Sequence, residues 1–492
     1  MRRCGEVYSV VIRPGVIQRA ARGVLTALAV ATVVLAYAFF ATRGTLNFAK
    51  FRHTEISFYV QLQQGFSAGH LYMEFPVDGR IPALPNPYDP KARANIAFYP
   101  WDASYFNGHY YLYHSPLPVL LAYMPVHLLT HRDAADELIA TLFCTWAFIA
   151  MLMFVREALG GIERLRVPFF LWVLFLGLGN AIPFVLPLVR FYEVAIVTGM
   201  AMTASWALSV LRLLRAPSNG RALWMGVWLA LAIAARPDLL ILGIPTAAVL
   251  VVAFRTRRTQ LIRAACAFAF PLIIVFAAML WYNAARFGDP LEFGVRYQLT
   301  SVEMEGKRVC GVRSLAEVVR MANNVCHYVF YPPVARSPFP FLDALAATLD
   351  PAVTWPTNGF TEPVIGLAPL MPLAMIGSAL ALLFAFVWPA TVDSRVRASI
   401  IVMAGAWLIL AVLSTCWWIV ARYSLEFMML MAGATVVLTE HALTLLPRSF
   451  VPRLFVAALA TYSVAVGFLL GLSGPGGAFK RANAPLIRRL TP

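Results

Sequence analysis

The chain has 492 residues, of which 60% are hydrophobic and 13% are charged, and its mean hydropathy is +0.71. A soluble protein needs a wetted surface that this composition cannot supply, so a soluble globular enzyme is excluded and most of the chain belongs in lipid. The formal net charge of +16 is explained by arginine clusters beside apolar runs, as on the cytoplasmic flanks of membrane helices. It favours membrane lipid over nucleic acid as a partner.

Apolar runs recur along nearly the whole chain at the length needed to cross a bilayer. They predict an all-α polytopic membrane protein with about 11 transmembrane helices, because a helix in lipid satisfies its own backbone hydrogen bonds. The runs cover residues 23–41, 138–155, 168–189, 194–214, 222–235, 239–254, 264–283, 364–389, 398–420, 424–446 and 454–472.

A shorter run at 116–129 contains three prolines and as a helix would rise only ~21 Å, against ~30 Å of hydrocarbon. We predict a re-entrant segment here. If it does not span, the later arginine clusters fall on the same side as the basic N-terminus, as cytoplasmic flanks should. The sequence then predicts a cytoplasmic tail at 1–22, a transmembrane domain at 23–472, an extracytoplasmic tail at 473–492, and outer loops at 42–137 and 284–362.

The first outer loop carries the first candidate site residues. Glu55 follows the first helix by about a dozen residues, so its carboxylate is expected near the membrane surface. Farther on, Asn107-Gly108 between aromatic runs predicts a hairpin turn. The aromatic residues there would either line a sugar site with polar neighbours or form an interfacial belt. The candidates in this stretch are Asp102, Tyr105, Asn107, His109 and His114.

Three short outer turns carry ionisable residues at helix ends. Such groups are expensive at membrane depth, and their recurrence on one side of a bundle indicates a functional site, with local ion pairing as the alternative. For Arg422 and Glu426 the order of charges is the weaker one for helix support, which favours the functional interpretation. The candidates are Tyr192 and Glu193, Arg236 and Asp238, and Arg422 and Glu426.

The second outer loop contains Arg296, Tyr297 and Gln298 in a conspicuous aromatic stretch. Its residues 314–331 have helical apolar spacing, which predicts a helix capped by Ser314 that lies flat on the outer leaflet. Two cysteines of this loop either pair in an oxidising compartment or remain free thiols, namely Cys310 and Cys326. The six cysteines show no zinc-ligand spacing, so no metal ligand is assigned.

Four strings resemble bacterial members of the GT-C class of membrane glycosyltransferases: YNAARFGDP at 282–290, FGVRYQL at 293–299, FYEVAI at 191–196 and DASYFNGHYYLY at 102–113. The likeness covers most of the chain and includes the large loop after the first helix. It implies a GT-C-like bundle with two large extracytoplasmic loops in a bacterial inner (plasma) membrane. It also implies hexosyl or pentosyl transfer with inversion at the anomeric carbon. The class often carries Asp-Glu or Asp-Asp at the loop start, whereas here Thr54-Glu55 stands instead.

Location suggests the substrates, because a transferase acting outside would use a polyprenyl-phosphate sugar rather than a cytoplasmic nucleotide sugar. A carboxylate must take the proton of the acceptor hydroxyl, and the candidate bases are Glu55 and Asp102. The departing lipid phosphate gains charge, which Arg236, Arg422 or Arg296 would stabilise. The other candidates named above would bind substrate. The acceptor would be a glycan, a lipid or a protein.

Two other functions compete with this interpretation. A permease or lipid flippase would line a route with the same charges, although no paired halves are evident in the sequence. A polymerase or ligase of lipid-linked glycans would share the outer-face chemistry. No motif indicates a cofactor, and a divalent metal, Mg or Mn, stays open. The sequence leaves the oligomeric state undetermined.

Overall fold

The computed structural model describes residues 14–52, 56–160, 165–255, 258–307, 309–345, 362–387, 392–447 and 449–490. The chain is built almost entirely of helices. In chain order they are α1 (Pro14–Ala41), α2 (Phe58–Ser67), α3 (Met124–Thr130), α4 (Asp136–Leu159), α5 (Phe169–Leu178), α6 (Ile182–Val185), α7 (Phe191–Arg215), α8 (Asn219–Ala235), α9 (Gly243–Phe254), α10 (Arg258–Phe287), α11 (Leu315–Phe330), α12 (Leu367–Leu370), α13 (Pro372–Phe386), α14 (Ser394–Ser414), α15 (Ser424–Leu445), α16 (Phe450–Ser473), α17 (Ala478–Ala482) and α18 (Ala484–Leu490).

Eight helical segments in the described ranges are long and apolar enough to cross a membrane: Gly23–Ala41, Asp136–Leu159, Phe191–Arg215, Pro237–Phe254, Arg258–Phe287, Ser394–Ser414, Ala421–Leu445 and Phe450–Ala482. Four shorter apolar helices are Val119–Thr130, Phe169–Val185, Asn219–Ala235 and Pro372–Phe386. These segments coincide with the apolar runs of the sequence. The expected fold class, an all-α polytopic membrane protein with two large loops, is confirmed.

Helix α7 forms the centre of the bundle, and its 18-residue apolar stretch is completely buried. It packs against α4, α8, α14 and α15. The neighbouring pair α8 and α10 approaches very closely at Gly226, where an added Cβ atom would lie 2.2 Å from the backbone oxygen of Phe268. Small residues at such crossings let the helix backbones approach closely. Van der Waals packing then holds the helices together, because in lipid no hydrophobic effect drives them to associate.

Contacts between helix ends show which loops share a face of the bundle. Arg43, which follows α1, donates from Nε to the carbonyl oxygen of Pro187 at 2.9 Å. Asn483, beyond α16, donates to the carbonyl oxygen of Arg43 at 3.0 Å. In the second large loop, the Asp343 carboxylate lies 2.6 Å from Lys480 Nζ. Both large loops and the C-terminal helices therefore lie at the same end of the bundle.

The opposite end carries a different set of contacts. Arg212 at the end of α7 pairs with Glu157 of α4 at 2.5 Å. Glu440 accepts from the backbone N–H of Arg166 at 2.8 Å. Successive membrane helices run in alternating directions between these two ends, as the charge-based topology requires. The assignment of each end to a compartment stays a prediction.

The proline-rich run is broken into short elements. Residues Val119–Tyr123 form a π-helical turn that continues into α3. Together they cover 119–130, which rises ~18 Å at 1.5 Å per residue and is shorter than the hydrocarbon core. The chain leaves α3 through His131 in the left-handed conformation, at φ 53°. The length agrees with a segment that does not span.

The predicted hairpin is present as β1 (Ser104–Phe106) and β2 (His109–Tyr111), which pair antiparallel. Its turn has φ 48° at Asn107 and φ 80° at Gly108, as a tight two-residue hairpin requires. An isolated bridge between Ser104 and Gln298 ties it to the second loop. A second two-stranded ribbon joins β3 (Val334–Ala335) and β4 (Leu342–Asp343).

The predicted helix of the second loop is confirmed as α11, and Ser314 and Glu317 form the expected capping box. Its apolar residues Leu315 and Val318 are exposed, while its Asn324 side chain is buried and donates to the carbonyl oxygen of Ser414 at 3.0 Å. Its polar side therefore holds it to the end of α14. The orientation on an outer leaflet stays a prediction.

Of the two alternatives for the cysteines of this loop, the structure excludes the pair Cys310–Cys326. Cys310 forms a disulfide with Cys416, 106 residues away, and Cys326 is free and exposed. The physical reason is that α14 ends at Ser414, earlier than the apolar run predicts, so that Cys416 lies in the loop layer beside Cys310. Cys326 lies on the outward side of α11.

Candidate active site

Charged residues converge where the first turns of α7 and α15 meet the last turn of α8, at the end of the bundle that carries both large loops. We call the following seven residues the ion cluster: Arg190, Glu193, Arg236, Asp238, Glu362, Arg422 and Glu426. Six of them come from the three short turns, and Glu362 comes from the end of the second loop.

Local helix chemistry positions the first turn. Arg190 is the residue before α7, and its backbone N–H donates to Glu193 Oε2 at 2.8 Å. The side chain of Arg190 also donates to Glu193 Oε1, at 3.2 Å. A carboxylate in the first turn is favoured because it satisfies free N–H groups and faces the positive end of the helix dipole. Glu193 is thereby fixed and buried.

Arg422 joins the turns across the bundle. Its Nη1 donates to Glu362 Oε2 and lies 3.6 Å from Glu193 Oε1. Glu362 Oε1 accepts from Arg190 Nη2 at 3.1 Å. One carboxylate therefore bridges two guanidinium groups, each oxygen on a different arginine.

The third arginine has its own carboxylate partners. Arg236, at the end of α8, makes two hydrogen bonds of 3.1 Å to Asp238 and lies 3.6 Å from Glu426 Oε1. Glu426 is fully buried, and neither of its oxygens has a hydrogen-bond partner among the described residues. Gly199 of α7 makes room for the pair, because an added Cβ atom would lie 3.2 Å from both Arg236 and Glu426.

Two tyrosine rings connect the arginines. The guanidinium carbon of Arg422 lies 4.8 Å from the ring centre of Tyr192, and that of Arg190 lies 5.2 Å from the same ring. Tyr423 lies 5.0 Å from the guanidinium of Arg236. Cation–π contacts of this kind hold a guanidinium in place without using its N–H donors.

Asp102 reaches the ion cluster through Tyr192, whose hydroxyl donates to Asp102 Oδ2. The backbone of Asp102 is left-handed at φ 66°, and its N–H donates to the carbonyl oxygen of Leu299 at 3.1 Å. A non-glycine residue in this conformation is strained and is retained where surrounding contacts hold it. The structure thus brings the predicted base Asp102 next to the predicted arginines, although its role stays a proposal.

His114 lies beside the same cluster, with its ring centre 5.9 Å from that of Tyr192. Burial, reinforced by the positive charges of Arg236 and Arg422, holds the pKa of His114 well below 6.5. The imidazole is therefore neutral. Its Nε2 atom is buried and has no hydrogen-bond partner in the described part of the chain.

Several buried polar atoms of this region lack hydrogen-bond partners among the residues that the structure describes. They are His114 Nε2, Arg190 Nε, Arg422 Nε, Ser424 Oγ and both oxygens of Glu426. Buried polar groups are normally paired, because an unpaired one costs about 1–3 kcal/mol. At the ion cluster these atoms offer hydrogen-bonding positions for a polar ligand.

The remaining predicted residues form a second group, around the hairpin. Arg296 pairs with Glu292 at 2.8 Å and is half exposed, and its guanidinium lies 4.7 Å from the ring of Tyr297. Also in this group are Tyr105, whose carbonyl oxygen accepts from the Tyr88 hydroxyl, and Asn107, which lies in the turn. The ring of His109 stacks on that of Tyr72, with ring centres 3.9 Å apart, and Gln298 lies opposite Ser104. The structure therefore brings Arg236 and Arg422 together but gives Arg296 different partners. Glu55 lies outside the described residues.

The sequence analysis assigns no role in the site to Glu362, Arg190 or Tyr423. Arg190 and Tyr423 stand in the same turns as the predicted residues, so the recurrence of charge and aromatic rings there was a usable signal. Glu362 carried no such signal, because it is 172 residues from Arg190 and 60 from Arg422.

No group of three or more His, Cys, Asp or Glu side chains that could hold a metal ion is found in the described ranges. The carboxylates of the ion cluster are turned toward arginines, a donor arrangement that does not fit Mg or Mn.

Among solved structures, the chain is similar to the oligosaccharyltransferase of Archaeoglobus fulgidus in its apo form, at 12% sequence identity and a TM-score of 0.49. The match covers 92% of this chain and 56% of that chain, so this chain spans little more than half the length of that protein. No protein-family model and no curated protein match the sequence. A likeness of this degree assigns neither a family nor an activity to the chain.

Proposed function

We propose that the protein is a GT-C-like membrane glycosyltransferase. It moves a hexosyl or pentosyl group from a polyprenyl-phosphate donor to a glycan, lipid or protein acceptor on the extracytoplasmic side of a bacterial inner membrane. The observation that carries the proposal is the joining of Asp102, through Tyr192, to two arginines at the loop end of a membrane bundle, the buried Arg422 and the partly exposed Arg190. Both halves of the reaction, deprotonation and charge stabilisation, have a residue of the right chemistry there.

The proposed reaction is a single displacement. Asp102 takes the proton of the acceptor hydroxyl as that oxygen forms a bond to the anomeric carbon. The bond from the anomeric carbon to the donor phosphate oxygen breaks, and the lipid phosphate leaves with the electron pair. Attack from the face opposite the leaving group inverts the configuration. Arg422 stabilises the phosphate charge by charge-assisted hydrogen bonds, and Arg236, which shares the Tyr423 ring with Arg422, adds a second positive charge nearby.

Two further observations support the assignment to the outer side. Disulfides persist in oxidising compartments, and Cys310 forms one with Cys416 at the same end of the bundle. The opposite end carries Arg212 and Arg166, members of the arginine clusters that mark cytoplasmic flanks. Glu55 remains the alternative base.

The test offers the purified protein a panel of polyprenyl-phosphate sugars with labelled sugar, and follows product formation. We expect one donor to be consumed, and D102N to lower kcat by about 10²–10⁴-fold, the usual contribution of a general base. The matched control is D78N, which removes a loop carboxylate that pairs locally with Arg80.

Loss of activity in E55Q with full activity in D102N would move the catalytic role to Glu55. If no donor is consumed, and labelled lipid or solute instead crosses vesicles that contain the protein, the proposal fails in favour of a permease or flippase. Extension of a lipid-linked glycan by repeated units would identify a polymerase.

A further inference from the structure

The bridging position of Glu362 resembles that of a bound phosphate. Its two carboxylate oxygens face two guanidinium groups, Oε1 that of Arg190 at 3.1 Å and Oε2 that of Arg422. Carboxylate and phosphate present the same pair of adjacent anionic oxygens to guanidinium N–H donors. A phosphate in the place of this carboxylate would have both arginines already aimed at it.

Each of the two arginines retains an N–H donor that makes no hydrogen bond to a described residue. Arg190 Nε and Arg422 Nε are buried and have no hydrogen-bond partner among the described residues. A carboxylate offers two oxygens, whereas the phosphate of a lipid-linked sugar offers two anionic and two ester oxygens, and the lipid phosphate that leaves offers three anionic oxygens. The pair of guanidinium groups therefore fits a phosphate more completely than it fits Glu362.

Glu362 also differs from the other carboxylates in how it is held. Glu193 accepts from the backbone N–H that begins its own helix, and Asp238 is two residues from its arginine. The side chain of Glu362 contacts the guanidinium groups of Arg190 and Arg422, and its segment is attached by a backbone hydrogen bond of 3.1 Å to Ile419. Its carboxylate can withdraw without breaking a helix cap.

The charge on Glu362 is retained in spite of burial. Burial raises the pKa of this carboxyl, but attraction and hydrogen bonds from Arg422 and Arg190 outweigh it and hold the pKa below 4.5. The two arginines at this position, Arg190 and Arg422, then already face two carboxylates, Glu193 and Glu362. A phosphate cannot be added favourably to that balance, so one carboxylate has to leave when a phosphate enters.

We propose that Glu362 is an internal anion that occupies the phosphate site between Arg190 and Arg422, and that the phosphate of a lipid-linked donor displaces it. This inference rests on the proposed function for the identity of the ligand. Exchange of one anion for another keeps both guanidinium groups paired at every stage, which avoids leaving the charge of the buried Arg422 uncompensated. After sugar transfer, return of Glu362 expels the lipid phosphate product.

The test measures binding of citronellyl phosphate, a short prenyl phosphate, to the full-length protein in detergent by isothermal titration calorimetry. If Glu362 occupies the site in about nine molecules of ten, its removal raises the apparent affinity about tenfold. We expect this gain in E362Q, which keeps the shape of the side chain and removes its charge. The matched control E157Q removes a carboxylate from an arginine pair at the opposite end of the bundle, and its affinity should equal that of the wild type.

A second variant separates displacement from a structural role. The side chain in E362D is shorter by one methylene and cannot reach both arginines, so its affinity for citronellyl phosphate should lie between those of the wild type and E362Q. A purely structural carboxylate would instead give a loss of affinity in E362Q and recovery in E362D. Inorganic phosphate is titrated in parallel, and a gain for inorganic phosphate without one for citronellyl phosphate overturns the assignment to a lipid phosphate.

The outcomes distinguish this inference from the proposed function. Equal affinities of E362Q and wild type for citronellyl phosphate, with sugar transfer intact in the wild type, overturn the inference and leave the transferase proposal standing. A gain of affinity in E362Q with no sugar consumed from any donor supports the phosphate site and refutes the transferase.

Discussion

Replacement of Arg422 by glutamine is expected to destabilise the protein strongly. The arginine side chain is 11% exposed and lies against two carboxylates, Glu362 at 18% and Glu193 at 4% exposure. Its removal leaves Glu193 with the single guanidinium of Arg190, and leaves Glu362 without one of its two partners. The cation–π contact with Tyr192 is lost as well.

The magnitude follows from burial. Removal of one partner from a buried ion pair costs about 3–5 kcal/mol, because the remaining charge is uncompensated in a medium of low polarity. The same substitution at Arg212 is the matched control, since Arg212 also pairs with a glutamate, Glu157, but is 43% exposed. An exposed pair contributes only about 0–1 kcal/mol. The two variants lose the same charge and differ in where they lose it.

The assay is reversible unfolding of the detergent-solubilised protein, or the shift of its thermal midpoint where unfolding is irreversible. We expect R422Q to unfold at a clearly lower temperature than R212Q. A double-mutant cycle of R422Q with E362Q should show coupling between the two sites, because the double variant no longer contains the uncompensated carboxylate. Equal destabilisation by R422Q and R212Q would refute the reasoning from burial.

The pH dependence gives a second check with a fixed sign. In the wild type the pKa of Glu362 is lowered below 4.5, since its attraction to Arg422 and Arg190 outweighs the opposing effect of burial. Its ionised form therefore stabilises the fold above pH 4.5, and that contribution is lost as the pH falls through the folded-state pKa. R422Q lacks much of this contribution. Its deficit relative to the wild type should shrink as the pH falls below 4.5.

Two further predictions concern the disulfide and the buried histidine. Because Cys310 and Cys416 close a loop of 106 residues, C310S should lose about 4.7 kcal/mol in the chain-entropy account, measured by thermal unfolding without reductant. The free and exposed Cys326 provides the control, and an equal loss in C326S would contradict the assigned pairing. His114 has a pKa well below 6.5 because of burial and the charges of two arginines, so wild-type stability should fall as the pH drops below 6.5. H114N should lack this decline between pH 8 and 5, and parallel stability curves would disprove it.

Much of the fold follows from local signals in the sequence. Apolar runs and their arginine flanks predict the membrane helices, because the bilayer demands both length and internal hydrogen bonding. The Asn107-Gly108 turn and the Ser314 cap are local too, since their conformations depend on neighbouring residues alone. The three charged turns were predicted as one site because all lie at the same end of the bundle.

The tertiary structure alone decided which of these charges meet. Glu362 joins Arg190 and Arg422, and Cys310 joins Cys416, across separations of 60 to 172 residues that no local pattern encodes. Arg296, by contrast, pairs locally with Glu292, four residues before it. The long-range contacts depend on the lateral order of helices in the bundle. Hydropathy and charge specify which end of a helix faces which side, but they carry no information about which helix lies beside it.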